Sequence, residues 1–235
     1  MQFVKIQKIM LVALLVGGLV GCKVAGELQE DTRTIELGKA ESVELRLNMA
    51  AGVLRLQGGA GELMESYFKY NIDRWKPEVG YSLSGSRGIL KVKQGKSSGM
   101  TVGKKRNIWE IRLSNDVPMD IKVNLGAGQS KLDLRGLMLE SLNVDMGVGE
   151  LTVDLSGEQN QNLDVVIDGG IGSATLYLPR HIGVRVSVDG GLGSVNARGM
   201  NKKGNVYTNE TYGKTDISIE IDIDAGIGSI DLELK

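Results

Sequence analysis

Ile121-Lys-Val-Asn-Leu-Gly-Ala-Gly128, Leu142-Asn-Val-Asp-Met-Gly-Val-Gly149 and Val165-Val-Ile-Asp-Gly-Gly-Ile-Gly172 share one pattern, in which alternating apolar residues run into a Gly-apolar-Gly corner. Two more copies are Val186-Ser-Val-Asp-Gly-Gly-Leu-Gly193 and Ile221-Asp-Ile-Asp-Ala-Gly-Ile-Gly228, with a degenerate one at Leu45-Arg-Leu-Asn-Met-Ala-Ala-Gly52. Aligned on the last glycine, the central copies are 21, 23 and 21 residues apart; a final step of 35 carries an insertion, Met200 to Lys214. Period-two alternation predicts strands with one buried face. Five residues before the aligned glycine stand Leu47, Val123, Val144, Ile167, Val188 and Ile223; four after it stand Leu56, Leu132, Val153, Leu176, Ala197 and Leu232. Apolar columns at a fixed period are the mark of stacked coils. The fold expected is all-β: a β-solenoid, right-handed and β-helix-like, built from Gly-x-Gly repeats of about 21–23 residues. An antiparallel β-sandwich, with each Gly-x-Gly folded as a hairpin turn, is the alternative. The middle corner residue (Ala51, Ala127, Val148, Ile171, Leu192, Ile227) is always apolar. It is expected to point inward, freed by its flanking glycines.

Residues 63–120 break the period. Strands are expected at 62–72, 79–83, 88–94 and 108–113, joined by Gly- and Ser-rich turns as an antiparallel insertion on the first coils. Its aromatic residues, Tyr67, Phe68, Tyr70, Trp75, Tyr81 and Trp109, read as the insertion's own core in preference to a sugar-stacking platform.

The first 21 residues differ in kind. Lys5 and Lys8 precede an apolar run, Ile9 to Val20, too short to span a bilayer and of signal-peptide length. It ends in Leu19-Val20-Gly21-Cys22, which resembles the bacterial lipobox. The resemblance implies acylation of the Cys22 thiol and cleavage before it, leaving the several hydrocarbon chains that stable anchoring needs. The expected organisation is a signal peptide at 1–21, a lipidated tether at 22–38 and a β-repeat body at 39–235. The membrane would then be a partner through the anchor, with the body facing outward from the cytoplasm (on the outer membrane in a host that has two). Cys22 is the only cysteine, so no disulfide supports the fold.

Formal net charge is −1, and losing Lys5 and Lys8 takes it to −3. Neither value suits nucleic acid. Charge is sorted along the chain: Val79 to Trp109 holds seven bases and no acid, Gly136 to Pro179 seven acids and no base. Within the basic stretch, Lys104, Lys105 and Arg106 form a candidate contact for an anionic polymer or lipid headgroups.

The stretch Val117-Pro-Met-Asp-Ile-Lys-Val-Asn-Leu-Gly-Ala-Gly128, with Leu132-Asp-Leu-Arg-Gly-Leu137 and Val144-Asp-Met-Gly-Val-Gly149, resembles the toast-rack family. Gly183 to Gly193, Tyr212-Gly-Lys-Thr-Asp216 and Asp224-Ala-Gly-Ile-Gly-Ser229 look like the same family and like the C-terminal part of LiaF-type cell-wall-active antibiotic response proteins. The resemblance covers roughly residues 110–235. It implies an envelope module, in some relatives part of envelope-stress signalling and in others adhesin-like. The partner implied is an envelope protein or a glycan. LiaF-type proteins carry membrane helices where this chain has a lipobox.

Four residues before each aligned glycine stand Asn48, Asn124, Asp145, Asp168, Asp189 and Asp224, which stacked coils would bring into a ladder. Each is expected to cap its own corner as an Asx turn; the other reading makes Asp145, Asp168, Asp189 and Asp224 cation ligands. Gly169-Gly-Ile-Gly172 and Gly190-Gly-Leu-Gly193 are similar to calcium-binding β-roll repeats, but Ala174 and Val195 stand where a ligand Asp is needed and the nine-residue period is absent. No cofactor is expected. The single histidine, His181, has no nucleophile-elbow motif to serve, and neither Gly213-Lys-Thr215 nor Gly95-Lys-Ser97 completes a phosphate loop. The sequence therefore points to binding, not catalysis.

Overall fold

The computed structural model describes residues 23–24, 26–95 and 101–235. Cys22 and the leader lie outside the described residues. Among the described residues, fifteen strands and one short 3-10 turn (Asp73–Trp75) make up the regular structure. In chain order the strands are β1 (Lys23–Val24), β2 (Gln29–Ile35), β3 (Ser42–Gly58), β4 (Met64–Tyr70), β5 (Pro77–Ser84), β6 (Arg87–Gln94), β7 (Thr101–Val102) and β8 (Asn107–Leu113). Then come β9 (Met119–Asp133), β10 (Leu139–Asp154), β11 (Leu163–Leu178), β12 (Gly183–Arg198), β13 (Asn201–Lys203), β14 (Val206–Thr208) and β15 (Ser218–Leu234).

Each repeat is one long strand of 15 to 17 residues bent at its Gly-x-Gly, so that two arms leave the bend. The six bent strands stack in parallel register through both arms, Gly52 on Gly128, Gly128 on Gly149 and Gly149 on Gly172. This is the β-solenoid-like stack that the apolar columns imply. The inward columns form its core: Leu47, Val123, Val144 and Ile167 before the bend, Leu56, Leu132, Val153 and Leu176 after it, all at most 2% exposed. Burying each such side chain contributes about 1.5–3 kcal/mol. Connections of four to eight residues link β9 to β10, β10 to β11 and β11 to β12. Leu134, Leu137, Leu155 and Ile182 from these links close the open side of the core.

Stacking order departs from chain order at the end. β15 lies between β11 and β12, in register with both over its whole length. The long insertion explains this: after β12, residues 201–208 form a hairpin that pairs antiparallel with the first arm of β12, and the chain then returns to fill the slot. Buried Asn209 secures the return by donating to Pro179 O and Ile182 O and accepting from Val184 N.

At the other end the sheet forks. The first arm of β3 pairs with β6 and then β5; the second pairs with β8, β4 and β2. The expected insertion strands are all present and pair antiparallel with one another, β4 with β8 and β5 with β6, while β6 and β8 join the stack by running parallel to β3. The insertion continues each arm of the first coil instead of sitting on it. Phe68 and Trp109 meet edge to face at 5.5 Å between the two forks, both fully buried. The polar stretch expected to be tether holds β2, whose pairing with β4 makes residues 29–35 part of the body.

One expectation at the bend is overturned. In the second and third coils the middle corner residue points outward: Ala127 is exposed and Val148 is 50% exposed. The inside of the corner belongs to the residue before the first glycine, filled by Met49, Leu125 and Met146 in the first three coils. The glycines answer a different demand. A Cβ on Gly128, Gly149, Gly172 or Gly228 would lie 1.8–1.9 Å from the carbonyl oxygen of the glycine stacked beneath it, at φ between 142° and 154° in the first three. A Cβ on Gly126, Gly147, Gly170 or Gly226 would meet the oxygen below at 2.2–2.4 Å. Ala50 escapes because the fork leaves no strand beneath it; there the Gln94 side chain accepts from Ala50 N and Ala51 N.

Gly169 and Gly170 are therefore neighbours with opposite needs. A Cβ on Gly169 finds only Asp224 O at 3.9 Å and points beside a small apolar cavity of about 40 Å³ lined by Met146, Ile167, Ile223 and Ile230. Gly169→Ala should raise stability by about 0.4–1 kcal/mol by restricting the unfolded chain. Gly170→Ala should cost at least about 1–3 kcal/mol, because stacked backbone must move. Thermal melts check both, at about 2–4 °C per kcal/mol; equal melting temperatures would refute the interlock.

Candidate functional site

Outward-facing positions of the first arms carry the in-line polar residues of the repeat. In parallel register, Asn48 lies beside Asn124, Asn124 beside Asp145, Asp145 beside Asp168, Asp168 beside Asp224 and Asp224 beside Asp189. The predicted ladder thus exists, with Asp224 ahead of Asp189 because β15 is intercalated. All six residues are exposed. Adjacent strands are about 4.8 Å apart, so Asn48 to Asp224 spans roughly 19 Å.

The ladder lines an open groove of about 810 Å³ running along the bend. Asn48, Asn124, Asp145, Asp168 and Asp224 stand along one wall, the corner glycines form its floor, and Gln94 closes one end. Asp189 is outside it. It lies in a second depression of about 270 Å³ with Lys202 and Tyr207 of the cap hairpin, and it accepts a hydrogen bond from the Asn205 side chain. The structure therefore brings together three of the four predicted carboxylates.

The Asx-turn expectation fails at these three. Among the described residues, Asp145, Asp168 and Asp224 accept no hydrogen bond and join no ion pair, because the bend is a continuous strand whose amides already pair with the neighbouring coils. Strung out along the stack, they also form no cluster: no group of three or more potential ligands among the described residues converges to hold a metal ion. The column can accept hydrogen bonds from hydroxyl or ammonium groups repeated along an extended partner.

Gln94 and Asn107 at the groove's end belong to no repeat, and no sequence signal marks them. Asn107 Nδ2 donates to Ala51 O at 2.7 Å and to Gln94 Oε1 at 3.0 Å, while its Oδ1 accepts from the Trp109 indole. Together they satisfy the backbone that the fork leaves unpaired.

Further along the same outer face an ion network ties β6, β3, β9 and β10. Glu44, 7% exposed, accepts from Arg46 at 2.6 Å and faces Lys122 at 3.3 Å and Arg87 at 3.6 Å; Arg87 also bonds Asp120 at 2.6 Å, which Ser141 contacts from β10. The Arg46 hydrogen bond, helped by Lys122 and opposed by burial, holds the Glu44 carboxyl down at about 2.

Lys104, Lys105 and Arg106 lie elsewhere, in an exposed loop between β7 and β8. Its backbone is held by Asn71, whose side chain donates to Lys104 O and accepts from Arg106 N, both at 2.7 Å. None of the three side chains joins an ion pair among the described residues. Of the remaining aromatic rings of the insertion, Tyr70 and Trp75 are core at 2% and 9% exposed, Tyr81 packs half-buried against it, and Tyr67 stays half-buried under the Lys69 ammonium.

Residues 24–177 match the family described as the N-terminal domain of toast_rack (DUF2154), and residues 127–232 match the C-terminal region of LiaF, the cell wall-active antibiotics response protein. A proposed cell adhesion protein of Clostridium sporogenes has a crystal structure that superposes with a TM-score of 0.86, at 40% identity over 89% of this chain and 100% of that one. A proposed adhesin of Bacteroides fragilis aligns over 89% and 99% of the two chains at 11% identity, with a TM-score of 0.35. No curated protein matches the chain.

Glu44 gives a pH test. Its carboxyl titrates below its ordinary value of 4.5 in the folded protein. The stability it adds is complete above pH 4.5 and is lost as pH falls towards about 2. Glu44→Gln should melt below the wild type at neutral pH, with the difference shrinking across that window. Parallel melting curves at every pH would contradict the network.

Proposed function

Because the chain belongs to the toast-rack family and carries a LiaF-like C-terminal region, we propose that it is a non-enzymatic binding module of the cell envelope, tethered through acylated Cys22. Its groove takes an extended, hydroxyl- or amine-bearing partner, as an adhesin-like module takes a surface glycan. One observation carries this reading: three exposed carboxylates and two amides, in strand register, without partners of their own along a groove of about 810 Å³. A repeating polymer meets such a ladder with one contact per coil, and a rigid sheet is not reorganised on binding. Similarity to a proposed cell adhesion protein over nearly the whole chain supports it.

A regulatory role in the response to envelope stress is the second reading, favoured by the LiaF-like match over residues 127–232. In that role the same face meets a protein whose engagement changes when the wall is damaged.

Asp145→Asn/Asp168→Asn/Asp224→Asn keeps the shape and removes the charge. A hydrogen bond to a charged group contributes about 1.5–3 kcal/mol, so binding to cell-wall glycan fragments should weaken at least about tenfold while the melting temperature holds. In-cell cross-linking with and without a cell-wall antibiotic separates the readings. A protein cross-link whose yield follows the drug favours the regulatory role. Unchanged affinity for every envelope fraction would remove the groove from the function.

A further inference from the structure

The chain's entry into the body meets the basic loop. β1, the two residues directly after Cys22, pairs in parallel with β7: Lys23 with Thr101 and Val24 with Val102. Paired strands are about 4.8 Å apart, and the three residues from Thr101 to Lys104 span at most about 11 Å. Gly26 N bonds Asn71 O and Asn71 N bonds Arg106 O, at 2.9 and 3.2 Å, so the entry, the 71–76 turn and the basic loop are stitched into one end of the molecule.

That end is basic. Segments 23–28, 71–76 and 101–107 hold Lys23, Arg74, Lys76, Lys104, Lys105 and Arg106 against the acids Glu27 and Asp73. It also exposes two large apolar side chains, Val102 at 54% and Leu28 at 43%. Lys104, Lys105 and Arg106 are exposed and join no ion pair among the described residues; such bases beside exposed apolar residues suit a bilayer interface, where bases meet phosphate and apolar groups enter the acyl boundary.

We infer that this end, centred on Lys104, Lys105, Arg106 and Val102, docks on the anionic phospholipid headgroups of the membrane that holds the lipid anchor. The inference rests on the lipidated Cys22 of the proposed function and adds an orientation to it. An acyl chain on Cys22 begins one residue from Lys23, which keeps the loop close to a headgroup layer whose field decays over about 8–10 Å. The stack then rises from the membrane with β3 nearest and the β13–β14 hairpin farthest.

The test uses the full chain, processed in a bacterial host and reconstituted into vesicles of phosphatidylglycerol and phosphatidylcholine, or of phosphatidylcholine alone. Incorporation of an alkyne fatty acid, lost in Cys22→Ala, reports the anchor. A polarity-sensitive dye on Val102→Cys, with Asn201→Cys at the far end as reference, reports docking. The inference expects quenching of the Val102→Cys dye by lipid spin-labelled near the headgroup in phosphatidylglycerol vesicles. The quenching should be lost with Lys104→Glu/Lys105→Glu/Arg106→Glu, in phosphatidylcholine alone and at 1 M salt, where screening acts within about 3 Å. The far-end dye stays unquenched throughout. A labelled chain whose Val102→Cys dye is silent, or indifferent to the triple reversal, overturns the inference and leaves the anchor standing. An unlabelled chain overturns both. A dye that responds to a soluble anionic polymer and not to phosphatidylglycerol assigns the loop to that polymer and also overturns it.

Discussion

The contact on which the molecule depends is backbone against backbone at the bend. Where one coil crosses the next, a backbone carbonyl oxygen of the coil below occupies the space that a Cβ would take on the glycine above. Two such contacts per coil, at the aligned glycine and two residues before it, allow long strands to turn a corner without losing the ladder on either arm. A side chain at either place would lift one coil from the next and break register on both arms. The Gly-x-Gly repeat is thus a stacking requirement first and a turn signal second. That is why Ala127 and Val148, between their glycines, face solvent and why Ala50, at the fork with no coil beneath, is accepted.

Register imposed at the bend also fixes what the surface shows. Residues four positions before the aligned glycine must fall into line, whatever they are, and in this chain they grade from amides to carboxylates: Asn48 and Asn124 in the first two coils, aspartates in the rest. The basic loop sits beyond the amide end. The linear sorting of acids and bases therefore puts the basic loop at the fork end and the seven acids of Gly136 to Pro179 on the central coils β10 and β11 and their link. The ladder's carboxylates remain available because strand pairing has already satisfied the backbone they would otherwise cap.

A stack of parallel strands has two ends, each an open edge inviting further pairing. One end forks into two sheets whose outermost strands carry charge, Glu30, Asp31 and Arg33 on β2 among them. Gln94 and Asn107 side chains cover the gap at the fork. The other end is covered over its first arm by the β13–β14 hairpin, and intercalated β15 leaves the partly buried Val188 and Ala197 on the outermost coil. With no disulfide available, these caps and the apolar columns carry the fold.

The sequence by itself determined the repeat, its period, the two apolar columns, the strands of the insertion and the in-line ladder, because each depends on alternation and spacing, which are local. Only the tertiary structure decided the rest. It set the position of β15 between β11 and β12, since in-register repeats accept one another in any order and the 35-residue step left enough chain to return. It turned Ala127 and Val148 outward, because a stacked carbonyl cannot be read from one coil alone. It left Asp145, Asp168 and Asp224 without partners among the described residues, because a continuous strand needs no cap. And it brought residues 23–24 beside the loop holding Lys104, Lys105 and Arg106, a meeting of segments about 80 residues apart that no local pattern encodes.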